Sequence, residues 1–354
     1  MPGKKLKLIP VIISLIVSLC SSAFAAAPSS GTIVTAEALW LDSYTSYQEM
    51  LEAADLVVSG TIDSQFTEIR CDMVFTNSII SINNMYKGDC ASSEYAKVLQ
   101  TGGIYGSIST PSFEDAPVLK ADETEYLLFL NYVNDSAYGE YYLILGGGAG
   151  IVDCSARSDT VNLNSSNFDD FIAELDQEDT AVPSAGSSQS NTTGGYFYTK
   201  TPKVYYRTTL SSTMKSFVKS GILSWNNGTS ITGATIYTTT SASSADITIS
   251  AGEYGETGWA GYTWRYDADG NDAGEVNCYA SAYIGLNTSF LSSSSSNWQL
   301  VAMHEMGHVF GLSHTDTGSS VMYTDYYSLV SSGLTAPTTA DYNAVKSAYD
   351  GGGL

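Results

Sequence analysis

Histidine is scarce in this chain: three occur in 354 residues, and all lie between positions 304 and 314. Positive charge is scarce too. Lys and Arg total 15 against 37 Asp and Glu, a formal net charge of −22. So acidic a chain lacks the basic footprint that nucleic acid or an anionic lipid surface requires. The surplus carboxylates suit a solvated protein, and equally offer hard oxygen ligands for calcium. Long apolar runs are confined to Leu8–Leu19, which is too short for a comfortable membrane span. Lys4, Lys5 and Lys7 precede it and Ala23-Phe24-Ala25 follows, the order of a cleavable export signal. Cleavage is expected after Ala25; Leu19 before Cys20 is too large for a lipoprotein signal. Residues 1–25 carry three lysines and no acids, so the mature charge becomes −25. The mature protein is expected to be secreted, with no membrane contact after signal removal; its oligomeric state is not encoded.

Few cysteines remain after that cut: Cys71, Cys90, Cys154 and Cys278. Export permits disulfides, and four cysteines allow three connectivities. If all pair, one bridge joins the first half to the second; four buried thiols are the alternative.

The histidines stand in His304-Glu305-Met306-Gly307-His308-Val309-Phe310-Gly311-Leu312-Ser313-His314, an H-E-x-x-H-x-x-G-x-x-H pattern. On a helix, residues four apart share a face, so His304 and His308 can ligate one zinc ion. Glu305 is placed as the general base toward water rather than as a ligand. Gly311 reaches the left-handed backbone region without a Cβ penalty, so it can end the helix and return His314 as third ligand. Three protein ligands leave a position open, the mark of a catalytic zinc rather than a structural one. An alternative, histidines that merely fill surface or core positions, does not account for all three falling at ligand spacing.

Ser319-Ser320-Val321-Met322-Tyr323 follows a short polar loop. Together with the zinc pattern, this segment resembles the metzincin metalloproteases, and among them the matrixins. There a methionine turn lies beneath the zinc, and Met322 matches it; an ordinary core methionine is the alternative. Thr315 after the third histidine fits the matrixin branch. Thr324 stands where other branches carry a tyrosine ligand, so none is expected. The resemblance covers roughly residues 196–350. It implies an α+β fold with a mixed sheet, one catalytic zinc, and endoproteolysis of protein or peptide substrates laid along the strand before the zinc helix. Matrixins of the vertebrate type also hold a structural zinc largely by histidine, and no histidine remains for one here. Asp267, Asp269, Asn271, Asp272 and Glu275 are dense in oxygen donors around glycines and are read either as a calcium loop or as a polar turn. Ile69-Arg70-Cys71-Asp72 shares only Arg-Cys with the latency motif of the family, and a disulfide role for Cys71 is the plainer reading.

Four segments are expected: a signal (1–25), a β-rich domain (26–178), a linker (179–195) and a matrixin-like domain (196–354). Asp179–Gly195 is polar, Ser/Thr/Gly-rich and open to proteases. Before it, β-rich runs at 56–62, 78–82, 126–130 and 141–145 between glycine clusters predict a small β-barrel. A helix is expected at 46–54, and another with Phe168, Phe171, Ile172 and Leu175 on one face. After the linker, strands are expected at 203–207, 235–237, 246–250 and 279–286, with helices at 211–225, 298–310 and 341–349. The first domain carries no nucleophile–base pair. It is expected either to restrain the catalytic unit by covering its cleft or to serve as a targeting module. A different class of function, an extracellular binding or adhesion protein with a vestigial zinc domain, is disfavoured by the intact Glu305.

Overall fold

The computed structural model describes residues 36–90, 94–113, 115–154, 167–177, 195–268, 278–315 and 320–352. The expected signal and nearly all of the expected linker lie outside the described residues. The fold is α+β.

The first region opens with β1 (Ala36–Trp40) and α1 (Tyr47–Ala53). Ser46 caps α1, its side chain accepting from the Glu49 N–H, which satisfies one orphan donor of the first turn. Then follow β2 (Leu56–Arg70), β3 (Met73–Lys87), β4 (Tyr95–Thr101), the short pair β5 (Gly103–Tyr105) and β6 (Ile108–Thr110), β7 (Tyr126–Asp135), β8 (Gly139–Ile144), β9 (Ile151–Asp153) and α2 (Phe168–Gln177). Strands run in the order β2-β3-β4-β8-β7-β9, and β2 also pairs β7, which closes five of them into a barrel. Alternation explains the two faces of β2 and β7. Leu56, Val58, Leu128 and Leu130 fill the barrel interior, whereas Val57, Leu127 and Phe129 pack outward on the helices through Met50, Phe171 and Ile172.

The second region comprises β10 (Tyr196–Phe197), β11 (Lys203–Tyr206), α3 (Ser212–Ser224), α4 (Thr229–Thr232), β12 (Tyr237–Thr239), β13 (Ile247–Gly252), β14 (Trp259–Tyr266), β15 (Cys278–Tyr279), β16 (Ser281–Asn287), α5 (Trp298–Val309), α6 (Tyr326–Ser331) and α7 (Thr339–Gly352). Its sheet runs β12-β11-β13-β16-β14-β1. The first four strands are parallel; β14 is antiparallel to β16, and β1 is antiparallel to β14. Thus a strand from ahead of the barrel forms the sixth strand of the second sheet. The interface between the regions is an aromatic core in which Phe75, Phe113 and Tyr141 meet Tyr254, Trp259 and Tyr262.

Two expected strands are displaced. The Asn226 side chain takes the Ile236 N–H (2.7 Å) and donates to its carbonyl (3.0 Å), so the strand expected at 235–237 enters the ladder only at Tyr237. The strand expected at 279–286 divides, because the Ala280 N–H goes to the Tyr266 carbonyl (2.7 Å) and Cys278–Tyr279 pairs β10 instead. No disulfide links Cys71, Cys90, Cys154 or Cys278. Among the described residues, no helix is long and apolar enough to cross a membrane.

Candidate metal centre

His304, Glu305 and His308 lie on α5, a helix buried on all sides from Val301 to Val309. A helix apolar all round belongs in the middle of a domain, and α5 lies between the sheet and α3. It ends as the glycine predicts. Gly311 has φ +86°, its N–H bonds the His308 carbonyl (2.9 Å), and the Leu312 N–H bonds the Gly307 carbonyl (3.0 Å), a Schellman closure. A Cβ on Gly311 would lie 2.2 Å from the Gly195 carbonyl oxygen, so packing demands glycine as strongly as conformation does.

This turn brings the three imidazoles together. The Nε2 atoms of His304 and His308 are 3.0 Å apart, and those of His304 and His314 are 3.2 Å apart. His304 and His308 are fully buried and His314 is 6% exposed. His304 Nδ1 lies 2.8 Å from the Val321 carbonyl and His308 Nδ1 lies 2.9 Å from the Leu312 carbonyl. A carbonyl only accepts, so each Nδ1 carries a proton, and in the neutral ring each Nε2 presents a bare lone pair. Two lone pairs facing each other at 3.0 Å in a dry site repel unless a cation lies between them. The donor set therefore fits a metal, and neutral imidazole nitrogen suits zinc. Burial, then the charges of His308 and His314, push the His304 pKa well down, which keeps its lone pair available.

Glu305 packs against β14. The Thr263 hydroxyl reaches Glu305 Oε2 (2.7 Å) and the Glu305 carbonyl (3.0 Å), and the Leu39 backbone N–H also donates to the carboxylate. Burial raises the Glu305 pKa to about 7, against the lowering pull of His308 and the Thr263 hydroxyl. Such a carboxyl can both take and return a proton near neutrality.

The matrixin family model matches residues 199–350. These residues form a matrixin domain. No curated protein matches the chain.

Within the matrixin domain, the methionine turn packs against α5 through an absence of side chain. A Cβ on Gly307 would meet Met322 Sδ at 2.2 Å, so only glycine at this helix position admits the methionine. The turn is anchored from α7. Asp341, 1% exposed, accepts from the Ser320 hydroxyl, from the Val321 N–H (3.3 Å) and, as a capping box, from the Thr338 N–H (2.7 Å) and hydroxyl (2.9 Å). Because Val321 also holds His304, Asp341 is linked to the metal centre through one residue. Thr315 returns its N–H to the Met322 carbonyl (2.8 Å), which fixes the chain just past His314.

Sequence reasoning placed His304, His308, His314, Glu305, Gly311 and Met322, and the structure brings these six together. It missed Thr263, Arg265, Asp341 and Glu37. Thr263 and Arg265 had a signal: Gly261, Thr263 and Arg265 alternate with Tyr262, Trp264 and Tyr266 in a strand pattern. Of the residues read as a calcium loop, only Asp267 is described; Asp269, Asn271, Asp272 and Glu275 lie outside the described residues. A cleft of about 360 Å³ opens beside Trp40, lined by Asn131, Leu143, Gly258, Asn287 and Phe290, and touches none of the histidines.

Proposed function

We propose that this chain is a secreted zinc-dependent endopeptidase acting on extracellular proteins or peptides. The observation that carries the reading is the convergence of three buried Nε2 atoms, each Nδ1–H of the helix pair fixed on a carbonyl, beside a buried carboxylate. His304, His308 and His314 would hold the ion. Zinc, when bound, supplies Lewis acidity toward water and a peptide carbonyl. Glu305 takes the proton of the attacking water and returns it to the departing amine. Thr263 holds Oε2 of that carboxylate and so orients it. The strand before the zinc helix, expected to take the substrate, is β16, and it is paired on both sides. We infer instead that β14 would supply backbone N–H and C=O groups to an extended substrate once β1 leaves its outer edge.

Secretion is supported by the lysines, apolar run and small-x-small segment of residues 1–25, and calcium binding only by the donor-rich segment 267–275. The domain limits proposed are 26–178, 179–195 and 196–354, with β1 reaching across the first of these into the matrixin sheet. The test is digestion of casein by the purified chain, after the linker has been nicked, with and without a zinc chelator. Cleavage abolished by the chelator and restored by zinc supports the reading. Intact casein under both conditions, with zinc bound, would favour a binding protein with a vestigial centre.

A further inference from the structure

The edge of β14 that a substrate would use is occupied by β1. Glu37 lies opposite Thr263, Ala38 opposite Tyr262 and Leu39 opposite Gly261, all antiparallel. The other edge of the same segment bridges in parallel to the stretch after the methionine turn, Trp40 against Asp325. Residues 36–40 thus thread between two chain segments as a bound extended peptide does. Side-chain alternation then sorts their contacts. Ala36, Ala38 and Trp40 face the aromatic core shared with the barrel, and Trp40 Nε1 donates to Asp115 (2.6 Å). Glu37 and Leu39 face α5. Leu39, fully buried, enters the core formed by Val301, Tyr326 and Leu329. Glu37, 8% exposed, pairs with Arg265 at 3.0 Å and contacts the His308 ring. Arg265 is itself held from behind, with the His308 carbonyl at 3.3 Å and its guanidinium 4.8 Å from the Tyr279 ring centroid.

We propose that Ala36–Trp40 is a pseudosubstrate: it holds the cleft closed, and its Glu37-Ala38-Leu39 sequence marks the peptides the cleft binds. This rests on the peptidase reading of the same site. The substrate class is an extended segment with a carboxylate two residues ahead of a large apolar side chain, Arg265 being the residue that selects the carboxylate. Arg265 already pairs with the Glu37 carboxylate, so a substrate carboxylate that replaces Glu37 would meet the same guanidinium. Tethering gives β1 a millimolar effective concentration, which free peptides do not match until the tether is cut or the strand is weakened.

The test uses the full zinc-loaded chain with Glu305→Gln to stop turnover and a sequence-specific protease site inserted between the exposed Asp42 and Ser43. The probe is a labelled peptide of residues 34–41, Val-Thr-Ala-Glu-Ala-Leu-Trp-Leu. After cutting and washing, binding should be at least roughly tenfold tighter than to the uncut chain, and Leu39→Asp in an uncut chain should raise uptake likewise. A peptide with Lys in place of the glutamate should bind at least roughly tenfold more weakly than the parent. If the cut chain and the Leu39→Asp chain both bind no better than the uncut parent, β1 is a permanent structural strand and the proposal is overturned. If the lysine peptide binds as well as the parent, the role of Arg265 is overturned. Failure of the peptidase reading looks different: the peptide binds as expected, yet the cut chain with Glu305 intact leaves casein whole.

Discussion

Replacing Asp341 with alanine should weaken both the fold and the metal centre, although the residue lies on α7 and ligates nothing. Its carboxylate is 1% exposed and accepts from Ser320, Val321 and Thr338. Alanine removes these acceptors and leaves the Ser320 hydroxyl and the Val321 and Thr338 N–H groups buried or half-buried. Hydrogen bonds to a charged group contribute about 1.5–3 kcal/mol each, and the Val321 contact is the long one. Two strong losses, partly offset by the carboxylate's own desolvation, amount to about 3–4 kcal/mol. A domain with about 5–15 kcal/mol of stability survives that at 25 °C. The remaining effect travels through Val321, whose carbonyl holds His304 Nδ1 at 2.8 Å. Loss of such a support typically lowers metal affinity about 10- to 100-fold. The assay is urea unfolding of the metal-free protein for stability, and chelator competition for zinc affinity. A loss below about 1 kcal/mol together with a zinc affinity within about twofold of the parent would refute this chain of support.

Glu305→Ala should retain zinc but lose about 10²- to 10⁴-fold in kcat, read by peptide hydrolysis and elemental analysis of the same sample; near-parental cleavage contradicts the proton role. Thr263→Val keeps the shape but removes the hydroxyl that holds Oε2 at 2.7 Å, so kcat should fall about tenfold or more with zinc content unchanged. Gly307→Ala should destabilise by about 1–2 kcal/mol even though alanine is the better helix former, because overpacking against Met322 outweighs a propensity gain of about 1 kcal/mol. Combining it with Met322→Ala should reduce that penalty in a double-mutant cycle, and strict additivity would show that the two residues do not share space.

The metal centre was legible because its chemistry is local. His304, Glu305, His308, Gly311 and His314 lie on one helix and the turn that ends it, so spacing alone brings them together. Gly307 was quoted within the pattern but its purpose was not visible, since the atom it avoids, Met322 Sδ, is fifteen residues on. The barrel strands were legible from alternation and glycine punctuation, though β2 and β3 run well past the apolar runs that marked them. The strand β1 was not legible. Ala36-Glu37-Ala38-Leu39 is rich in good helix formers, and only the open edge of β14 makes it a strand. Asp341 was hidden for a related reason: its closest partner across the fold, Ser320, is 21 residues away, while locally it reads as an ordinary helix-capping acid.

The most direct measurement is zinc stoichiometry by elemental analysis of the purified mature chain and of the triple variant His304→Ala, His308→Ala, His314→Ala. One tightly held equivalent in the parent and none in the variant is the predicted result. A parent that is active without zinc, or a variant that keeps its full complement, would contradict the assignment of these three histidines as the metal centre.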